Sequence, residues 1–296
     1  MSAIIRTVAK SVRRLYPEAL ADKSWDNTGL LLEAPYRSDI PRPSSKHIVL
    51  LTIDLTKAVA AEAIEKKAAA IVSYHPIIFR PIKSLTLRDT QQDSLIRLAQ
   101  AGISVYSPHT AVDAALGGVN DWLADGISGG KGNEESREVL VPVNGVEGFE
   151  GAGMGRLVTL KEAASVGSLV NRVKKYLGMK HLMVVEAAKH KDHTGIRKIG
   201  LCAGSGGSLF KGLDADLYFT GELSHHEALA AKENGISVIA CFHTNTERGY
   251  LSKTMQPRLL EVLADEWSRV VEAEKEGKDG FEVVVSTADK DPYEIM

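Results

Sequence analysis

Residues 47–75 read HIVLLTIDLTKAVAAEAIEKKAAAIVSYH. The first eight form a dense apolar run ending in Asp54, the pattern of a strand buried on both faces. Residues 57–67 are rich in Ala, Glu and Lys and put Val59, Ala63 and Ile64 on one side, which predicts a helix. Residues 70–74, AIVSY, predict a second strand. Outward from this unit, residues 93–101 read as a helix with Gly102 as C-cap, 103–107 (ISVYS) as a third strand, and 118–123 as the opening of another helix. Strands alternating with helices imply an α/β fold with mainly parallel central strands.

The later half keeps this rhythm. Strands are expected at 156–160, 182–186, 199–203, 217–220, 236–242 and 281–286, and helices at 168–177 and 226–233. Residues 246–277 read as mostly helical, divided or kinked at Pro257. Residues 126–136 (GISGGKGNEES) are polar and glycine-rich, the pattern of a linker. The expected division is therefore an N-terminal α/β lobe over 1–130, a loop region over 131–150 and a C-terminal α/β lobe over 151–296. His190 and His193 fall in a charged stretch read as a solvated turn.

Composition bounds the function. A formal net charge of -2 and the lack of a basic stripe argue against direct nucleic-acid binding, and no apolar run is long enough to span a bilayer. The two cysteines, Cys202 and Cys241, sit in apolar runs and read as buried reduced thiols, so a cytoplasmic location is expected. Residues 1–20 carry Arg6, Lys10, Arg13 and Arg14 against Glu18. The preferred reading there is a surface helix with Ile4, Val8, Ser11, Val12 and Leu15 on one face; a transit peptide, and hence the mitochondrion, is the second.

Chemistry gathers where strands end. AIVSY runs into His75, ISVYSP into His109 and SVIACF into His243. Ligands of open parallel sheets bind at the carboxyl ends of strands. A lone histidine after a strand is usually a loop residue, but three of the nine histidines after apolar strands weaken that explanation. Asp113 lies four residues after His109 and Glu247 four after His243, spacings that share a face of a helical turn. Imidazole with carboxylate suits zinc, manganese, iron or cobalt. The plainer alternative is that Asp113 caps a helix and Glu247 complements a helix dipole. The run AGSGGS at 203–208 fits either a phosphate cradle or, preferably, a turn that needs glycine. At most one of His225 and His226 is expected to face a site, and Arg248 fits either an anionic ligand or a structural ion pair.

Together SWDNTGLLLE at 24–33, SYHPIIF at 73–79, SPHTAVDAALGGVND at 107–121, GSGGS at 204–208, TGELSHHEAL at 220–229 and FHTNTERGYL at 242–251 resemble the Nif-three-like (NGG-one-interacting-factor-three) family, also called GTP cyclohydrolase I type 2 or YbgI-like. The SYHP and HTNTERG versions resemble its eukaryotic branch. The resemblance implies a dinuclear metal site between two α/β lobes: His75 and Asp113 on one ion, His243 on the other, Glu247 bridging. Many bacterial members carry a second histidine before the HP motif; here that position is Tyr74, whose neutral phenol is a poor ligand. His109, then His225 or His226, are the residues to replace it, so one ion is better supported than two.

Two functions are expected. In the first the chain is a metal-dependent hydrolase of a nucleotide or other phosphorylated small molecule, with His109 or His226 as general base or substrate-orienting group. In the second it is a regulatory or scaffold protein that meets a transcriptional partner, its metal structural or vestigial. The resemblance further implies a homo-oligomer, a hexamer in many members.

Overall fold

The computed structural model describes all residues except 36, 38–43, 192–194, 276–277 and 295–296. His193 lies outside the described residues. The described strands are Gly29–Leu32 (β1), His47–Thr52 (β2), Ala70–Ser73 (β3), Ser104–Ser107 (β4), Glu134–Pro142 (β5), Gly153–Ala164 (β6), Met183–Val185 (β7), Ile196–Ser205 (β8), Leu217–Glu222 (β9), Ser237–Ala240 (β10) and Phe281–Val285 (β11). They divide between two compact units: Met1–Val112 with Leu251–Pro292, and Asp113–Tyr250 with Tyr293–Met296.

The first unit holds a sheet ordered β1-β4-β3-β2-β11, parallel except for β1. Val49, Leu50 and Leu51 of β2 and Ile71 of β3 are fully buried, as a strand covered on both faces requires. Each such side chain contributes roughly 1.5–3 kcal/mol relative to exposure. The helix Lys57–Glu65 buries Val59, Ala60 and Ala63 against this core and is capped by Thr56, whose side chain accepts from the Val59 N–H. Lys67, expected inside it, takes a positive φ of 53° and turns the chain back toward β3. The N-terminal helix Ala3–Leu15 buries Ile4, Val8, Ser11, Val12 and Leu15, the face read from the sequence. The long C-terminal helical stretch changes to a π turn at Leu251–Met255, directly before Pro257 in the first turn of Gln256–Ser268.

The second unit holds a sheet ordered β5-β6-β8-β9-β10-β7. Its central β8, β9 and β10 are parallel, while β5, β6 and β7 run antiparallel to their neighbours. Residues expected in a linker are structured: Gly126 lies within the helix Val119–Ser128, and 134–142 form β5. Glycine at 126 reflects packing rather than a break, since a Cβ there would meet the Tyr176 ring at 2.3 Å. His190 is also not the solvated residue expected. It is 5% exposed, in a short helix at Ala188–Lys191, with Nδ1 2.8 Å from the Ser237 hydroxyl. Burial first, and the neighbouring Lys189 second, lower its pKa.

Among the described residues no helix is long and apolar enough to cross a membrane.

Candidate metal centre

In the first unit the sheet delivers two imidazoles from the ends of neighbouring parallel strands. His75 follows β3, with its N–H donating to Ile53 O at 3.0 Å and its carbonyl accepting from the Ser73 hydroxyl at 2.7 Å. His109 follows β4 with a positive φ of 33°, a conformation that costs a side chain strain and concentrates at functional sites. The two rings meet edge to face, centroids 5.4 Å apart. Tyr74 is buried, its ring edge-on to both imidazoles. A cleft of about 560 Å³ is lined by Asp54, His75, Ile77, Gln91 and Lys290.

Each imidazole is aimed by a carboxylate. His75 Nδ1 lies 2.9 Å from Asp54 Oδ1, and His109 Nδ1 lies 2.6 Å from Asp26 Oδ1. An ionised carboxylate only accepts, so Nδ1 carries the hydrogen and the Nε2 lone pair is left for a ligand. Carboxylate-backed imidazole is the usual outer arrangement of a metal-binding histidine. Burial acts to raise the Asp26 pKa, but hydrogen bonds from His109 and Thr110 outweigh it and hold the carboxyl below its ordinary value.

In the second unit the ends of β8, β9 and β10 converge. His243 follows β10, and its Nδ1 lies 2.9 Å from Glu222 Oε1 at the end of β9. Phe242, just before it, has a positive φ of 63°, a genuine outlier for a bulky residue. Glu247 is in the first turn of Asn245–Tyr250, as a dipole-complementing residue would be, yet its side chain is only 3% exposed. Its Oε1 lies 3.6 Å from His243 Nε2. Two donors on one tetrahedral ion at bonds of ~2.1 Å are separated by ~3.4 Å, so the pair fits a shared cation.

Gly204, at the end of β8, makes room for that pair. Its φ is +60°, and a Cβ there would lie 2.8 Å from His243 Nε2 and 3.0 Å from Glu247 Oε1. Its N–H donates to Thr246 Oγ1 at 2.9 Å, and its carbonyl accepts from the Thr220 hydroxyl at 3.0 Å. Thr246 also donates to His243 O at 2.7 Å, so one hydroxyl couples the glycine turn to the histidine loop. Gly221 is a further close approach: a Cβ there would be 2.6 Å from Gly204 O and 2.9 Å from His243 Cα. The glycine run is thus a tight turn, as preferred from the sequence, whose tightness leaves the donor atoms clear.

Asp113 lies in the short helix Thr110–Ala114. Its carbonyl accepts from Asn120 Nδ2 at 3.0 Å, and Asn120 Oδ1 accepts from the Ala203 N–H at 2.8 Å, tying its backbone to the residue before Gly204. Both Asp113 and Glu247 act electrostatically on buried Cys202: burial raises the thiol pKa, and the two carboxylates raise it further. Cys202 and Cys241 are both free and buried, as expected, and protonated thiols of this kind are poor ligands and nucleophiles. His226 is exposed in the first turn of His225–Glu233, its ring against His225 at 5.3 Å. Arg248 donates to Thr244 Oγ1 at 3.0 Å.

Asp54, Asp26, Glu222, Thr246 and Asn120 were not singled out from the sequence. Their signal is positional: Asp54 lies just past the end of β2, Glu222 ends β9, and Asp26, Asn120 and Thr246 sit inside the quoted motifs.

Comparison with known proteins bears on family and fold. A model of the Duf34/NIF3 (NGG1p interacting factor 3) family matches residues 3–279. The chain is 51% identical over 290 residues to the Protein NIF3 homolog of Schizosaccharomyces pombe, covering 97% of this chain and 96% of that protein. It is 42% identical over 294 residues to NGG1-interacting factor 3 of Saccharomyces cerevisiae, with 97% and 96% covered. Among solved structures, the Bacillus cereus protein related to NIF3 superposes with a TM-score of 0.75 at 21% identity, over 98% of each chain. With strand-end histidines, glycine turns and overall fold all in place, the chain belongs to the Duf34/NIF3 (NGG1p interacting factor 3) family.

Proposed function

We propose that this protein binds divalent metal through His75, Asp113, His243 and Glu247, and that it is a metal-dependent hydrolase of a nucleotide or other phosphorylated small molecule. The observation that carries the reading is the 3.6 Å approach of His243 Nε2 to the buried Glu247 carboxylate beside a glycine whose Cβ would fill the gap. His75, His243 and Glu247 have the donor chemistry of a divalent-cation site. Mixed imidazole and carboxylate favours zinc, manganese, iron or cobalt over calcium.

These residues would hold the ion, which when bound would supply Lewis acidity toward water and a phosphoryl or carbonyl oxygen. The chain's own residues supply the rest. Asp54 and Glu222 fix the tautomer of His75 and His243. His109, 13% exposed and braced by Asp26, is our candidate to take or return a proton at Nε2, with exposed His226 as the second candidate. On the same reading the chain acts in the cytoplasm as a homo-oligomer. A protein-interaction role is the second reading, favoured by the name of the Saccharomyces cerevisiae relative and by Tyr74 where a further imidazole would complete a pair of ions.

Replacing either bracing carboxylate, Asp54→Ala or Glu222→Ala, is expected to weaken metal binding about 10- to 100-fold while leaving the fold intact. Chelator-buffered titration reads this directly, and unchanged affinity in both variants would remove the bracing role. Tyr74→His is expected to raise metal content above that of the parent; equal content would mean that another residue already serves there. A hydrolysis screen with phosphomonoesters, phosphodiesters and nucleotides, run with zinc or manganese and again after chelation, tests the activity. Metal-dependent turnover lost in Glu247→Gln supports the hydrolase, and turnover indifferent to chelation sinks it.

A further inference from the structure

We infer that Trp25 and Phe79 recognise a planar heteroaromatic ring, held beside His109, in a ligand that carries an anionic group. Trp25 is 51% exposed and Phe79 46%, whereas Trp122 and Trp267 are buried. The two exposed rings adjoin each other as one apolar patch, and both face the same histidine. Trp25 meets His109 at 5.7 Å and Phe79 meets it at 6.5 Å, both edge to face, and His109 in turn meets His75. The two outer rings are 5.9 Å apart and tilted by 55°, a wedge rather than a stack, so neither covers the other.

The indole is exposed but anchored. Its Nε1–H donates to Asp22 Oδ2 at 2.9 Å, and Asp22 Oδ1 accepts from the Ser24 N–H at 3.0 Å and the Ser24 hydroxyl at 2.6 Å. The Asp22 N–H donates to Thr110 Oγ1 at 3.0 Å, and the Thr110 hydroxyl is bonded to Asp26, the carboxylate that braces His109. On the other side, Asn27 Nδ2 donates to Ile78 O, tying the tryptophan loop to the residue before Phe79. An anchored aromatic wedge pays little ordering entropy when a flat ring enters it.

Charge indicates the rest of the ligand. The segment that continues from Phe79, FRPIKSLTLR at 79–88, contains Arg80, Lys83 and Arg88 and no carboxylate, in a chain of net charge -2. The three cations are exposed, and none is in an ion pair among the described residues. A heteroaromatic anion matches both features; a purely apolar occupant would leave the cations unused.

The inference rests on the proposed reaction site only for the role of His109, and its test is run without metal. Because the other two tryptophans are buried, quenching of intrinsic fluorescence reports on Trp25. In full-length, chelator-treated protein, AMP is expected to quench saturably, adenosine to bind several-fold more weakly, and ribose 5-phosphate to leave emission unchanged. Calorimetry should show AMP binding weakened roughly 5- to 150-fold in Trp25→Leu and in Phe79→Leu, the range of base–aromatic stacking. Arg80→Ala with Lys83→Ala should erase the preference for AMP over adenosine, circular dichroism confirming that each variant is folded. Absence of saturable AMP binding, or equal affinity in both ring variants, overturns the inference, as does Trp25 emission that shifts with protein concentration alone, which would make the wedge a contact between copies. Metal content measured on the same preparations separates failure of the ring site from failure of the metal reading.

Discussion

Gly204→Ala is expected to yield a folded protein that no longer holds metal. The change adds one methyl group, and the position of that carbon is fixed by the backbone: 2.8 Å from His243 Nε2 and 3.0 Å from Glu247 Oε1. Neither neighbour can yield without leaving the ligand position, because metal bonds tolerate only about 0.2 Å of error. His243 is held through Nδ1 by Glu222, and its carbonyl by Thr246. The turn cannot retreat either, since Gly204 is bonded on one side to Thr246 and on the other to Thr220. Alanine at a φ of +60° costs on the order of 1–2 kcal/mol, a modest loss for a chain of this size. Affinity for zinc or manganese should therefore fall at least about 100-fold, the upper end of what disturbing a supporting residue does, with the thermal transition lowered by only a few degrees. Chelator competition and a melting curve on the same sample check both halves. Unchanged affinity would mean that His243 and Glu247 do not share an ion.

The largest effect on stability is expected at Arg156. This side chain is only 2% exposed, and its Nε and Nη2 reach the two oxygens of Asp121 at 2.8 and 3.0 Å. It also donates to the carbonyls of Gly153 and Gly155 at 2.6 and 2.8 Å and, more distantly, Ala115 at 3.3 Å. Arg156→Met leaves a largely buried carboxylate and several carbonyls without their donor. Breaking one side of a buried pair costs about 3–5 kcal/mol, and Arg137, 3.3 Å from Asp121, keeps the loss toward the lower figure. The pair also has a pH signature. Burial acts to raise the Asp121 pKa, but Arg156, the Gly117 N–H and Arg137 together hold it below the ordinary value. A carboxyl whose folded pKa is depressed contributes stability that is present above its unfolded pKa and lost as pH falls through the folded one. Denaturant unfolding at neutral and at acidic pH should show the gap between parent and Arg156→Met narrowing in acid. A gap that stays constant would assign the loss to packing alone.

Much of the first unit was legible because its strands are buried on both faces and leave unbroken apolar runs such as HIVLLTID. The histidines of the candidate site were legible for the same reason: a polar residue directly after such a run stands out. What escaped was information carried by contacts distant in sequence. Asp54 is 21 residues from His75, and Asp26 is 83 from His109, and no local pattern couples them. Residues 126–136 misled because glycine and charge look alike in a linker and in a helix end with an edge strand; Gly126 is there to admit the Tyr176 ring. His190 misled similarly, since its charged neighbours concealed that its own ring packs against Ser237.

Elemental analysis of the purified chain beside His75→Ala and His243→Ala/Glu247→Ala tests the metal assignment most directly. Expected are a stoichiometric divalent ion in the parent, reduced content in His75→Ala, and none in the double variant, with circular dichroism unchanged throughout. Full metal content in the folded double variant would contradict it.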